Sequence, residues 1–430
     1  MSKKLPPSIV KGNIYFLISL HRQSIFCVPV QCLTARSRLL YGFNMRRLVI
    51  LAVVLILGAD IWICHAAQRK AKPVVNQGQK DESFQQLFST LFTQWDRNND
   101  GKLDLKEINA AVEDPSVRET DAAVAVVLRR HVRLDDETET DGLTLQQALS
   151  LAGDPQIQKA VSGDAAHIHA INHSLFLPDD PNLFGFHQGG MGDCYLLAVI
   201  GAFVYHNPQA VRTMIKPELD GKFEVQFGNG KNVVVEPITD AELILGATEG
   251  RNHGIWLSVL EKAYAQLHKE TKEERTGQEI EDDEAVFNDL IGHGGYYSPV
   301  IVLLTGHKTA GAPMERWLNH DPKSAVEKMD ELLTKLSSEH RLMAVGTAGN
   351  KAKALPKGTP HGHVLAVLEY DPTNRMVHMF NPWGNNFRPA GSPGLVNGYP
   401  TQHGMFDVPI DEFMQIFSGF SYETDKTVVR

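Results

Sequence analysis

The spacing of apolar residues changes from a helical to a strand-like period along the 430-residue chain. From Phe84 to Trp95, apolar residues recur every three or four positions, which predicts one buried face of a helix. A second apolar run, rich in helix-forming residues, follows Cys194. After residue 340, short apolar runs are separated by turn residues such as Asp371-Pro372, which predicts a sheet. The pattern therefore predicts an α+β protein whose C-terminal part is rich in strands.

The first 67 residues differ in composition from the rest of the chain. Residues 1–44 hold several Lys and Arg but no Asp or Glu, and we interpret them as an extension or a start codon called too early. Residues 45–67 have a basic start, an apolar middle and small residues at the exit, as in a secretory signal peptide. An uncleaved membrane anchor is the alternative, because the apolar run approaches the roughly 17 residues that span a bilayer. Both interpretations predict an extracytoplasmic protein, secreted or periplasmic, with residues 68–80 as a polar linker.

A polar run directly follows the predicted helix that ends at Trp95, and it has the residue order of an EF-hand loop. Calcium takes roughly six to eight oxygen ligands in such a loop. Gly101 permits the sharp bend, and Leu103 is the apolar plug. The predicted calcium ligands are the side chains of Asp96, Asn98, Asp100 and Glu107 and the backbone carbonyl of Lys102.

An EF-hand usually pairs with a second one through a short strand, and residues 136–147 are predicted to be the partner. When Leu143 is aligned with Leu103, Gln147 stands where the bidentate Glu is needed and threonines stand where charged oxygens are needed. We therefore predict an EF-hand pair over residues 81–155, whose second hand supports the fold and binds calcium weakly or not at all. Residues 156–180, with three histidines and no assigned role, are predicted to be a linker.

Charge and cysteine content narrow the possible functions. The net charge of −9 provides no basic face that could neutralise phosphates, so no nucleic-acid partner is predicted. Beyond the possible N-terminal anchor, no membrane association is predicted. Cys27, Cys32 and Cys64 precede the predicted cleavage point, which leaves Cys194 as an unpaired cysteine in an exported chain. An unpaired cysteine in this setting indicates a reactive thiol.

Cys194 lies where a glycine-rich segment meets the apolar run of a predicted helix, in the sequence Gln188-Gly-Gly-Met-Gly-Asp-Cys194-Tyr-Leu-Leu-Ala. Unpaired N–H groups and the positive end of the helix dipole are expected to lower the thiol pKa from roughly 8.5. Across the glycine turn, the Gln188 amide and the Cys194 N–H would form an oxyanion hole. By itself, a cysteine beside leucines is as readily a small buried hydrophobe as a nucleophile.

A catalytic thiol needs a base and a group that orients this base. His363 opens a predicted strand and Asn381 ends the next one, so an imidazole and a carboxamide can meet on adjacent strands. His361 and His378 are competing histidines. His378 has the opposite phase in its strand, whereas the choice between His361 and His363 stays open at this point.

Three motifs in this order resemble those of the calpain family of cysteine proteases: the segment that ends in Cys194, the pair Gly362-His363 and the run Asn381-Pro-Trp-Gly. Tyr195 replaces the Trp that usually follows the cysteine in this family. The resemblance implies a papain-like (calpain-type) protease of two lobes, residues 181–297 being helical and residues 298–430 being rich in strands.

The resemblance also implies a role for each residue. Cys194 would attack as a thiolate paired with the His363 imidazolium, Asn381 would fix the orientation of His363, and Trp383 would shield the hydrogen bond between them. Gln188 would stabilise the oxyanion.

These features together predict an exported cysteine endopeptidase that acts on protein or peptide substrates and follows an α-helical, calcium-binding EF-hand module. Animal members of the family carry EF-hands after the protease, whereas here they precede it. In a calcium-rich exterior, even a site with an affinity of about 10⁻⁴ M stays filled, so calcium would stabilise more than switch. The alternatives are an inactive calcium-dependent binding protein on a protease fold, and acyl transfer to amines as in transglutaminases, which tend to use an acid where this chain has Asn381.

Overall fold

The computed structural model describes residues 77–134, 142–189, 191–246, 253–276, 286–349 and 354–427. The predicted extension, the signal peptide or anchor, and most of the predicted linker over 68–80 lie outside these residues, as does most of the second predicted calcium loop. A helix already begins at Gln77, inside that linker. Within the described ranges, no helix has the length and apolar character needed to cross a membrane.

Residues 77–170 fold as a set of packed helices, which we call the helical module. Phe88, Leu91, Phe92 and Trp95 are buried, so the apolar face predicted for the first helix is its core face. The elements of the module are α1 (Gln77–Trp95), β1 (Lys102–Leu103), α2 (Leu105–Glu113), α3 (Glu119–Leu134), β2 (Leu143–Thr144), α4 (Leu145–Ala152) and α5 (Pro155–Ala170).

Two short strands join the two helix–loop–helix units of this module. Leu103 of β1 pairs with Leu143 of β2 in an antiparallel bridge, which is the register expected from aligning the two loops. Both side chains are buried. The helices after the two strands, α2 and α4, each begin with a capping box, in which the residue before the helix and the residue at its third position satisfy each other's backbone N–H groups.

The prediction of a linker over residues 156–180 is wrong for the first half of this segment, because Pro155–Ala170 forms the helix α5. Asp154 caps this helix by accepting a hydrogen bond from the Gln156 N–H, and Pro155 occupies its first turn. Val161 and Ile168 are buried in the core of the helical module. The segment therefore belongs to this module rather than connecting two domains.

The chain then forms a first protease lobe, which we call the cysteine lobe. Its central helix, α6, is apolar on all sides and buried along most of its length. The elements of this lobe are α6 (Cys194–His206), α7 (Pro208–Met214), β3 (Ile215–Pro217), β4 (Phe223–Gln226), β5 (Asn232–Val235), α8 (Asp240–Leu245), α9 (Trp256–Thr276), α10 (Phe287–Ile291) and α11 (Tyr297–Thr305).

Residues 307–427 form the second lobe, which we call the sheet lobe. Its strands are all antiparallel and follow the order β10-β9-β8-β7-β11-β6. The elements are β6 (His307–Ala312), α12 (Met314–His320), α13 (Pro322–Ser338), β7 (Met343–Thr347), β8 (Val364–Asp371), β9 (Met376–Phe380), β10 (Met405–Pro409), α14 (Ile410–Ile416) and β11 (Phe417–Thr427).

The passage between the lobes lies slightly later than residue 298, where it was predicted. Helix α11 still packs in the core that contains Cys194, with Val300 and Ile301 fully buried there. Gly306, with φ of 73°, ends this helix in the left-handed conformation and turns the chain into β6. The cysteine helix itself packs on β8 of the sheet, since Val364 and Ala366 belong to the same core.

Candidate active site

Cys194 is the first residue of α6, at the position that the sequence predicts. Gly192 fixes the loop before the helix, because its N–H donates to the Gly292 carbonyl at 2.8 Å. A Cβ at position 192 would lie 2.5 Å from this carbonyl oxygen, so only glycine allows the contact. Cys194 is 7% exposed, and this remaining surface lines an open cleft of about 720 Å³ between the two lobes.

The pKa of the Cys194 thiol is raised above its ordinary value, contrary to the direction expected from its place at a helix start. Burial is the largest cause, and the nearby Asp193 carboxylate adds to it. Hydrogen bonds from backbone N–H groups, that of Val364 first and then that of Tyr195, act in the opposite direction but are outweighed. Desolvation of the sulfur therefore exceeds the effect of the helix start.

His363 and Asn381 meet as expected for residues that flank a pair of neighbouring strands. His363 immediately precedes β8 and Asn381 immediately follows β9, and these strands pair antiparallel. The His363 Nε2 donates to the Asn381 Oδ1 at 2.8 Å. Both side chains are buried, at 5% and 3% exposure. This bond assigns the hydrogen to Nε2 and leaves Nδ1 as the acceptor of the neutral ring.

Trp383 covers this pair from the solvent side. Its ring lies 4.9 Å from the His363 ring, at an angle of 49°, and its backbone N–H donates to the Asn381 Oδ1 at 3.1 Å. The side chain is 41% exposed and lines the cleft. The Asn381 oxygen thus receives two hydrogen bonds, one from the ring and one from the turn that carries Trp383.

The other two histidines are engaged elsewhere. The ring of His361 lies 3.2 Å from the Ala348 carbonyl oxygen, although it also lines the cleft. His378 bonds to the Asp407 carboxylate at 2.7 Å on the surface of the sheet. Among these three imidazoles, His363 is the one that contacts a side-chain amide.

Cys194 and His363 line the same cleft, and within the described part of the chain no hydrogen bond joins the sulfur to the imidazole. Burial lowers the pKa of His363, although the hydrogen bond to Asn381 raises it in part. A raised thiol pKa and a lowered imidazole pKa both favour the neutral forms. Burial of the two side chains therefore works against a thiolate–imidazolium ion pair.

Gln188 also lines this cleft, but its amide is directed into its own loop. The Nε2 donates to the Met191 carbonyl at 2.5 Å, and the backbone N–H donates to the Pro382 carbonyl of the sheet lobe at 2.9 Å. The Oε1 is buried and has no hydrogen-bond partner within the described part of the chain. The amide that is predicted to stabilise an oxyanion therefore holds the glycine loop in this structure.

Two buried carboxyl groups lie beside the thiol and were not predicted from the sequence. Asp193 and Glu261, the latter in α9, are both fully buried. Among the described residues, neither Asp193 oxygen has a well-aligned hydrogen-bond partner, although interactions with the side chains of Glu261 and Gln188 lower its pKa. Burial outweighs both and raises the pKa of Asp193 to about 6. The signal in the sequence was an acid directly before Cys194 and a second acid inside an apolar helical run.

Residues 156–392, more than half of the chain, match the model of the calpain family of cysteine proteases. The chain belongs to the calpain family. Its relatives include a calpain-type cysteine protease of Oryza sativa subsp. japonica, 26% identical over 213 residues, which are 46% of this chain and 9% of the relative.

Two animal calpains are also similar. Calpain-B of Drosophila melanogaster is 26% identical over 247 residues, 50% of this chain and 24% of that protein. Calpain-12 of Homo sapiens is 32% identical over 105 residues, 22% of this chain and 14% of that protein. The chain thus matches less than a quarter of the length of these relatives.

The loop predicted to bind calcium connects α1 to β1 in this calpain-family chain. Asp96 accepts hydrogen bonds from the N–H groups of Asp100 and Gly101 at 3.1 Å, and Asp100 accepts from the Lys102 N–H at 2.8 Å. Asn98 Oδ1 accepts a second bond from the Asp100 N–H at 2.8 Å. Gly101 has φ of 83°, as the predicted bend requires. The first half of the loop therefore has the turn geometry expected for the motif.

Glu107 departs from the expected arrangement. Its carboxylate accepts hydrogen bonds from the N–H groups of Arg97 at 2.8 Å, Asn98 at 3.2 Å and Asp104 at 3.3 Å. Over the described ranges, no three Asp, Glu, His or Cys side chains are grouped closely enough to hold a metal ion. The residues thus fit a calcium loop in order and in backbone turns, while Glu107 is bound to the loop's own backbone.

Proposed function

We propose that this calpain-family chain is a cysteine endopeptidase in which Cys194 attacks the peptide carbonyl and His363 moves the protons. The observation that carries the proposal is the His363 Nε2–Asn381 Oδ1 hydrogen bond of 2.8 Å, at the edge of the cleft that Cys194 also lines. Because Nε2 carries a hydrogen, Nδ1 is free to accept the thiol proton.

The reaction follows from these roles. Substrate in the cleft excludes water, and the thiol passes its proton to His363 as the sulfur attacks the carbonyl carbon. The imidazolium then protonates the leaving amine, which departs as the acyl-enzyme forms. The Cys194 N–H, together with the Gln188 amide once it leaves the Met191 carbonyl, would stabilise the oxyanion. Water activated by the neutral His363 then releases the acid product.

The test is hydrolysis of a mixed peptide library by the purified chain, with Cys194→Ser and His363→Ala as variants. We expect cleavage by the wild type and its loss in both variants, because nucleophile and base act as a unit. His378→Ala is the matched control, since this surface histidine bonds to Asp407 away from the cleft. An inert wild type whose Cys194 also resists an epoxide probe at pH 8 would favour the alternative, a binding protein on a protease fold.

We further propose that the Asp96–Glu107 loop binds calcium when Glu107 turns from the backbone N–H groups to the ion. Two observations support this proposal: the order of oxygen-bearing residues, and the hydrogen bonds that the Asp96 and Asp100 carboxylates accept from backbone N–H groups of the same loop. Calorimetric titration with CaCl₂ and MgCl₂ tests this. We expect binding that is lost in Glu107→Gln but kept in Asp114→Asn, a half-buried carboxyl outside the loop that bonds to Ser116. An absence of heat with the wild type contradicts the proposal.

Export is proposed from residues 45–67 alone. N-terminal sequencing of the protein recovered from a secreting host tests it. A mature start between residues 64 and 70 is the expected result, and a cytoplasmic protein that keeps Met1 or Met45 would contradict it.

A further inference from the structure

The helical module contacts the two short helices that lead to the loops beside Cys194. Ala241 and Leu245 of α8 are buried in the core of the module, and the Thr239 hydroxyl donates to the Val112 carbonyl of α2 at 2.6 Å. At the end of α8, the Gly246 carbonyl oxygen lies 2.9 Å from the position of a Cβ on Gly189, in the glycine loop. The module therefore supports one side of this loop through α8.

The second contact is a buried chain of three polar side chains. The Arg129 Nε of α3 donates to the Asn109 Oδ1 of α2 at 2.7 Å, and its Nη2 donates to the Asp289 Oδ2 of α10 at 2.5 Å. Asn109 is 1% exposed, and the side chains of Arg129 and Asp289 are 4% and 10% exposed. A buried guanidinium fork holds both partners in a fixed plane, which a flexible ammonium group does not.

Helix α10 ends at the wall of the cleft. Ile291, its last residue, is buried, and the next residue, Gly292, accepts the Gly192 N–H. His293 pairs with Gly192 in a parallel bridge, and the segment 292–295 lines the same cleft as His363. The position of α10 therefore sets the distance between this wall and the residue two positions before the thiol.

We propose that Arg129 is a positioning residue for peptide hydrolysis: through Asp289 it fixes the cleft wall at residues 292–295 against the Cys194 loop. The inference rests on the proposed function of Cys194. The physical reason is that substrate and thiol must stay aligned within a fraction of an ångström, and this alignment is lost when α10 shifts. Asn109 keeps the plane of the guanidinium and belongs to the helix that follows the acidic loop.

The experiment compares Arg129→Lys with Arg130→Lys in the full chain. Arg130 is the matched control, because it lies next in the same helix and pairs with Asp164 inside the helical module. We expect kcat/KM, measured per folded molecule, to fall between roughly 10-fold and 100-fold in Arg129→Lys, mainly through KM, and to stay unchanged in the control. A merely less stable fold would lower the folded fraction, measured by circular dichroism at the assay temperature, without changing kcat/KM per folded molecule.

Amide hydrogen exchange of residues 286–295 provides a readout that does not need activity. Faster exchange in Arg129→Lys than in the control is expected, and equal exchange would overturn the proposal, as would wild-type kcat/KM in both variants. If Arg129→Lys fails to fold, Asp289→Asn replaces it in both measurements, because this substitution removes the carboxylate charge and retains the shape of the side chain. If the wild type cleaves no peptide, the proposed function fails, while hydrogen exchange still decides whether Arg129 holds the wall.

Discussion

Replacing Asp193 by Asn should stabilise the protein at neutral pH, although this residue directly precedes the thiol. Burial beside Glu261 raises the pKa of Asp193 from 3.8 to about 6 in the folded chain. A pKa difference of this size corresponds to about 3 kcal/mol between the protonated and ionised forms. Because the folded pKa is the higher one, the protonated carboxyl favours folding below pH 3.8, and this contribution is lost as the pH rises through about 6.

An amide at this position keeps the shape and carries no charge to desolvate, and it can donate to Glu261. The variant should therefore equal the wild type in stability near pH 4 and exceed it by up to about 3 kcal/mol near pH 7.5. Urea unfolding of both forms in a Cys194→Ser background, which prevents self-cleavage, measures this difference. Asp179→Asn, an exposed carboxyl in the same part of the chain, is the control and should show no such trend.

The same substitution should make the thiol more reactive. Asp193 raises the pKa of Cys194 through its charge, so its removal lowers that pKa and speeds alkylation by iodoacetamide at pH 7.5. The reasoning would be refuted by a variant whose stability follows the wild type at every pH, or by one that is destabilised throughout. Either result would mean that the Asp193 carboxyl is not held at a raised pKa.

Three further predictions follow from the site. Alkylation of wild-type Cys194 should rise continuously from pH 6 to pH 9, because burial raises the thiol pKa and lowers that of His363; a plateau below pH 7 would indicate a preformed ion pair instead. Asn381→Ala should lower kcat at least roughly 10-fold in peptide hydrolysis, since the imidazole loses the acceptor that fixes its tautomer, and an unchanged kcat would contradict this. Trp383→Ala should raise KM and should weaken the His363–Asn381 hydrogen bond, because water then reaches it. The weaker bond would broaden the downfield imidazole N–H signal in a proton NMR spectrum, and a signal that stays sharp would argue against shielding by Trp383.

The structural predictions that rest on residues close together in the sequence were the most accurate. The helix that ends at Trp95, the start of α6 at Cys194, and the placement of His363 and Asn381 at the ends of β8 and β9 all follow from apolar spacing and turn residues. Because neighbouring antiparallel strands bring such ends together, the His363–Asn381 contact could be expected before any coordinates. The linker predicted over residues 156–180 missed α5, although Asp154 and Pro155 are residue types that commonly begin a helix.

Only the tertiary structure decided the properties that depend on groups distant in sequence. The direction of the Cys194 pKa depends on how deeply the two lobes bury the sulfur. That of Asp193 depends on burial, which outweighs the opposing effect of Glu261, 68 positions later in the chain. Likewise, Arg129 is an ordinary helical residue in sequence, and only packing places it between Asn109 and Asp289. Periodicity determines which face of an element is buried, whereas desolvation and charge pairing are set by which faces meet.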